Sequence, residues 1–180
     1  MYTLHLTMER APAVHELAAA SRRALASCAL LDPAPSEGLH LTMTGLGFTD
    51  EVPDTGLAEV AERVFKGWAG LGPVELVVDS VLVTHESVML TTEPATWLDS
   101  LVSDQRRAVD KVLGARQWGG FWPHLSLAYC NGVMPARALA EPLSAALERL
   151  PDRVCARPTL TLMRLGRDTH VYRWDALRRA

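Results

Sequence analysis

Leu39-His40-Leu41-Thr42-Met43-Thr44 and Pro123-His124-Leu125-Ser126-Leu127-Ala128-Tyr129 are the two stretches from which the fold is read. Each alternates with period two, which is the pattern of a strand. An imidazole and a hydroxyl two residues on then share one face, while the leucine between them enters the core. Working outward, Thr3-Leu4-His5-Leu6-Thr7-Met8 alternates in the same way and predicts a half-buried strand with Leu4, Leu6 and Met8 inward. From Pro12, suited to a helix start, Val14, Leu17, Ala18, Leu25 and Cys28 recur at helical spacing until Pro33 and Pro35 end the pattern. After Gly45 and Gly47, the residues Leu57, Val60, Ala61, Val64, Phe65 and Trp68 predict a second helix. Two β-branched runs follow, 74–83 and 88–92, joined across Thr84-His85-Glu86-Ser87 as a hairpin.

The second half replays this order. A helix over 96–113, a Gly119-Gly120 loop, the His124 strand and a helix over 136–150 lead to strands near 159–165 and 170–174. The last two are expected to join across Gly166-Arg167-Asp168. His40 and His124 are 84 residues apart, and the same shift lays Thr7 on Thr91. The sequence thus predicts an α+β fold made from one β-α-β-α-β unit written twice. Two antiparallel sheets with flanking helices would lie around a central cleft, related by a pseudo-twofold. A single bilobal domain over 1–180 follows, with lobe-forming repeats at about 1–85 and 86–180.

At 180 residues, with 48% hydrophobic and 22% charged side chains, the composition is that of one globular domain and excludes fibrous and disordered classes. Its apolar runs are far shorter than the ~18 residues of a bilayer span, so no membrane partner is expected. Met1-Tyr2-Thr3-Leu4 opens without a basic or apolar leader, which makes the cytoplasm the expected location. Cys28, Cys130 and Cys155 have no metal-type spacing and are expected to be buried, reduced thiols. The net charge of −3 hides an asymmetry: residues 1–90 carry 5 basic and 12 acidic side chains, residues 91–180 carry 13 and 9. That allows a basic face on the second half; the plain alternative is solvated helix faces. With no heptad run, a monomer is expected.

If the halves pair across a pseudo-twofold, His40 and His124 face each other with Thr42 and Ser126 beside them. In-line attack at phosphorus needs a base on the nucleophile's side and an acid on the opposite side, and two opposed imidazoles supply both near neutral pH. The hydroxyls can donate hydrogen bonds to the equatorial phosphoryl oxygens. This chemistry calls for no metal and no cofactor.

On these residues the sequence resembles the two-histidine (2H) phosphoesterases, which include the bacterial 2′-5′ RNA ligases and RNA 2′,3′-cyclic phosphodiesterases. The family's mark is a pair of His-apolar-Thr/Ser-apolar tetrapeptides, one in each half of a duplicated α+β fold. His40-Leu41-Thr42-Met43 and His124-Leu125-Ser126-Leu127 match it, with serine for threonine in the second. The resemblance implies a metal-independent phosphodiesterase that opens 2′,3′-cyclic phosphates, with the 2′-phosphate as the usual product, or that makes and breaks 2′-5′ linkages. His40 and His124 would be catalytic, in either order of acid and base, and Thr42 and Ser126 would hold the phosphate. The implied partner is an RNA terminus or a small cyclic or 2′-5′ linked nucleotide.

His5-Leu6-Thr7-Met8 is a third copy of the pattern without a histidine counterpart in the second half. His5 and Thr7 either line the cleft and touch substrate or fill structural places. Phe121 and Trp122 precede the second motif, so Trp122 either stacks on a base or packs in the core. Arg164 is a candidate phosphate ligand, being suited to bidentate contact. His85 and His170 are expected at exposed turns, His15 on a helix surface, and Trp68, Trp97, Trp118 and Trp174 in structural places. Tyr129 belongs by alternation to the core-facing side. Two other classes of function compete: a nucleotide- or phosphate-binding module with little turnover, and a zinc enzyme built on His5, His40 and His124.

Overall fold

Pro12 opens the first helix and Gly114, at φ 94°, follows the third, so the chain is punctuated where proline and glycine are most at home. The computed structural model describes residues 1–133, 135, 137–147, 154–168 and 171–180. Within these, the first run of elements is β1 (Tyr2–Thr7), α1 (Pro12–Leu25), β2 (Leu31–Pro33), β3 (His40–Gly47), α2 (Asp54–Gly70) and β4 (Leu76–Val83). The second is β5 (Ser87–Thr92), α3 (Thr96–Leu113), β6 (His124–Cys130), α4 (Arg137–Leu147), β7 (Val154–Ala156), β8 (Thr159–Asp168) and β9 (Val171–Arg179). A 3₁₀ turn, Ser36–Gly38, leads into β3.

The strands are antiparallel throughout, in the order β7-β4-β5-β6-β3-β1-β8-β9, with β2 added on β6. β3 and β6 meet at one register pair, Leu41 with Leu125. In place of the two expected antiparallel sheets there is one, whose two halves join between the motif-bearing strands at that pair. The duplication is visible in the registers. On one side His5 pairs with Thr42 and Thr7 with His40; on the other Met89 pairs with Ser126 and Thr91 with His124. The repeats interleave: β4 pairs with β5 in the half that carries His124, while β8 pairs with β1 in the half that carries His40. The helices follow suit, α1 packing with α4 and α2 with α3.

Leu4, Leu6, Leu41, Leu90, Leu125 and Leu160 are fully buried from the strands, as are Val14, Val60 and Val109 from the helices. Each such side chain contributes roughly 1.5–3 kcal/mol through burial. The α2–α3 contact is close enough that a Cβ on Gly56 would stand 2.7 Å from Leu113 Cδ2.

Some expectations are corrected. β1 is not half-buried: β3 and β8 pair along both its edges, and Thr3, His5 and Thr7 are enclosed along with the leucines. Gly166, Arg167 and Asp168 are ladder residues of β8, not a turn, because the β8–β9 register continues to Asp168 opposite Val171. β2 and β7 are three residues each, too short to show alternation. The register shift in β5–β6 between Val88 and Met89 turns Ala128 inward and leaves Tyr129 exposed, against simple alternation. Cys28, Cys130 and Cys155 are half-buried and not buried as expected. Among the described residues no helix is long and apolar enough to cross a membrane.

Candidate active site

Leu41 and Leu125 take the helix-covered face, so the pleat sends His40, Thr42, His124 and Ser126 to the other one. His40, Thr42, His124 and Ser126 are therefore the immediate neighbours of one bridging pair, and positive charge on His124 is felt at His40. Thr42 is exposed, and His40, His124 and Ser126 are half-buried, so the group opens to solvent.

Both histidines are held by the same local device. His40 Nδ1 lies 2.6 Å from the Gly38 carbonyl oxygen, and His124 Nδ1 lies 2.9 Å from that of Trp122. In each case the acceptor is two residues upstream. A carbonyl accepts only, so Nδ1 carries the hydrogen and Nε2 is left for chemistry. The anchor of His40 has a second support. Trp174 of β9 presents its indole edge to the His40 ring, centroids 6.2 Å apart, and its Cη2 occupies the place that a Cβ on Gly38 would need. Neither Gly38 nor Trp174 is marked by the sequence: Trp174 is expected there to be structural, and nothing in the order of residues ties it to His40.

Burial holds the His40 imidazole below its ordinary value; the Gly38 carbonyl opposes this, and positive charge on His124 adds to it. His5 lies flat against His40, centroids 4.3 Å apart and planes 16° from parallel. At 1% exposure it offers substrate no surface, and neither ring nitrogen has a hydrogen-bond partner among the described residues. Burial first, and charge on His40 second, place its proton affinity well below the ordinary imidazole value. The pH consequence has a definite sign. The unfolded chain takes up a proton on His5 near pH ~6.5 and the folded chain does not, so this contribution is complete above about 6.5 and is lost as pH falls below it. In a His5→Phe variant, urea unfolding at about pH 7 and about pH 5 is expected to show a pH-induced loss smaller by up to about 2 kcal/mol. Equal losses in variant and wild type would mean that His5 titrates normally in the folded protein.

Thr7 is buried and committed: its hydroxyl donates to the Thr159 carbonyl at 3.3 Å and meets the Thr161 hydroxyl at 3.1 Å. Trp122 is 54% exposed, not in the core, with its ring centroid 5.6 Å from that of His124. The loop before it is tethered by Asp110, whose carboxylate accepts from the Arg116 backbone N–H and the Trp118 indole N–H at 3.1 Å. Arg164 is not brought to the histidines. It has the opposite parity on β8 to the cleft-side Thr161 and is ion-paired to Asp175 at 2.6 Å, which raises its proton affinity. His15 Nε2 donates to the Met8 carbonyl oxygen at 2.8 Å; His85 is exposed beside Glu86; and His170 lies outside the described residues. Trp68 and Trp97 pack edge to face as structural residues. Among the described residues no three His, Cys, Asp or Glu side chains are grouped to hold a metal ion, and the His5, His40 and His124 zinc arrangement is not formed.

A family model described as the 2′-5′ RNA ligase superfamily matches residues 9–169. No curated protein matches the chain by sequence. Among solved structures, TT0787 of Thermus thermophilus superposes with a TM-score of 0.70 at 18% identity, over 98% of this chain and 96% of that one. E. coli LigT complexed with 3′-AMP superposes with a TM-score of 0.68 at 17% identity, over 99% and 96%. LigT complexed with phosphate gives 0.64 at 15%, over 99% and 94%. At these identities the likeness is one of fold.

Proposed function

The chain belongs to the 2′-5′ RNA ligase superfamily, and from that membership we propose that it opens 2′,3′-cyclic phosphates of RNA ends or small nucleotides by paired-histidine acid–base catalysis. The observation that carries this reading is the matched anchoring of His40 and His124, which leaves two Nε2 atoms for one cleft. His40, with its proton affinity held down by burial, is neutral near pH ~7 and suited to accept a proton. Water attacks phosphorus and yields its proton to His40 Nε2. The bond from phosphorus to the 3′ oxygen breaks in line, and that oxygen takes a proton from His124, leaving a 2′-phosphate. Thr42 and Ser126 donate to the equatorial oxygens as charge grows on them. Exposed Trp122 offers a face for a base next to the phosphate. The same two groups serve the joining of a 2′-5′ linkage when a 5′ alcohol replaces water as the nucleophile, the 3′ oxygen leaving as before. The protein acts as a monomer without a metal or cofactor.

The test is turnover of 2′,3′-cyclic nucleotides and of a cyclic-phosphate-ended oligonucleotide in EDTA, with the product position identified. A 2′-phosphate formed at an undiminished rate in chelator is expected. Folded wild type that binds these compounds but turns none over would replace the reading with that of a binding module, and activity restored only by zinc would replace it with a metalloenzyme.

A further inference from the structure

The two motifs match, but the residues beneath them do not. Where β1 sets His5 beside Thr42, β5 sets Met89 beside Ser126. His40 thus lies flat on a stacked ring, whereas the ring beside His124, that of Trp122, is tilted 49° to it with centroids 5.6 Å apart. We propose that His5 is a positioning residue for His40 in the reaction proposed above: its buried ring is the flat support that holds the His40 imidazole against rotation and keeps Nε2 aimed at the cleft.

The geometry carries this in three ways. The His5 and His40 rings are nearly parallel at stacking distance, so the contact is through faces. Neither His5 nitrogen has a hydrogen-bond partner among the described residues, so its ring faces are its means of contact with them. Trp174 meets His40 with an edge, so the imidazole is confined by His5, Trp174 and the Gly38 carbonyl together. The charged and titratable groups around His5 are few. β3 contributes His40 and the hydroxyl of Thr42; β8 contributes Thr159 and Thr161. β9 sets Arg179 opposite Thr161, with its guanidinium 3.2 Å from Glu9, and β6 contributes His124 across the cleft. In that setting His5 stays neutral, and stacking on it adds no second cation beside His40.

His5→Phe keeps a flat ring without nitrogens, His5→Met copies the other half of the molecule, and His5→Ala removes the support. Rates and pH profiles on a 2′,3′-cyclic nucleotide are to be compared with the imidazole nitrogen NMR signals of His40 in each protein, after thermal melts establish folding. The Met and Ala variants are expected to lose about tenfold or more in kcat with KM changed by less than about twofold, because an imidazole free to swing is misaligned for transfer. Phe is expected to recover kcat to within about threefold of wild type. In His5→Ala, water reaching His40 relieves its desolvation, and the acid limb of kcat/KM moves up toward the ordinary imidazole value. The NMR signals of His40 report one Nδ1–H tautomer in wild type and Phe, and averaging in Met and Ala. A rise in KM with kcat unchanged, equal losses in all three variants, or the same His40 tautomer in all four proteins would overturn the proposal. The NMR arm needs no turnover, so it decides the role of His5 even if cyclic phosphates prove not to be substrates.

Discussion

His40→Ala and His124→Ala each lower kcat on a 2′,3′-cyclic nucleotide by about 10²–10⁴-fold, with the fold intact. General acid and general base contributions are of that size, and either one lost leaves the other without its complement. Both side chains are half-buried on the open face, opposite the core leucines at 41 and 125, so truncation opens no core cavity. Because the two act in one transfer, the double variant is expected to lose little more than the worse single. Parallel measurement of kcat, KM and melting temperature for the three variants checks this. Additive losses of the two singles would mean that the histidines act in separate steps or bind independently, and a loss confined to KM would make them phosphate ligands.

Gly38→Ala is expected to cost on the order of 10²-fold in kcat, although it lies outside the motif and adds one methyl group. The new Cβ would overlap Cη2 of Trp174 and stand 3.1 Å from its Cζ2, closer than side chains pack. Either the indole leaves its place beside His40, or the turn carrying the Gly38 carbonyl shifts and the Nδ1 anchor at 2.6 Å goes with it. Both outcomes release His40. The check is a paired substitution: with the indole gone a Cβ at position 38 has nothing to clash with, so Gly38→Ala with Trp174→Leu is expected to match Trp174→Leu alone. A single Gly38→Ala variant with wild-type kcat would show that neither Trp174 nor the anchor orients His40.

The fold is legible where periodicity is long and repeated. Alternation around His40 and His124 and helical spacing from Val14 to Leu25 mark their elements. The 84-residue shift foretells the equivalent pairs Thr7 with His40 and Thr91 with His124. What periodicity does not carry is the partner of a strand. β1 reads as half-open because alternation reports side-chain polarity, and a strand paired on both edges can bury threonine and histidine once neighbours cover them. Interleaving of the repeats, with β4 beside β5 and β8 beside β1, is likewise a matter of pairing between distant segments.

The site divides in the same way. His40, Thr42, His124 and Ser126 announce themselves by local spacing, and the structure gathers them on one face. Arg164 has the right chemistry but the wrong parity on its strand, which commits it to Asp175. Gly38 and Trp174 matter through a contact between a turn and the last strand, which no local pattern encodes.

In the proposed reaction one histidine takes a proton and the other gives one. The pH dependence of kcat/KM on a 2′,3′-cyclic nucleotide, measured for wild type, His40→Ala and His124→Ala, tests it most directly. A bell is expected for wild type, with an acid limb below the ordinary imidazole value because burial lowers the proton affinity of His40. The residual activity of His40→Ala is expected to lack the acid limb, and that of His124→Ala the alkaline one. Variants that each keep both limbs would contradict the paired roles.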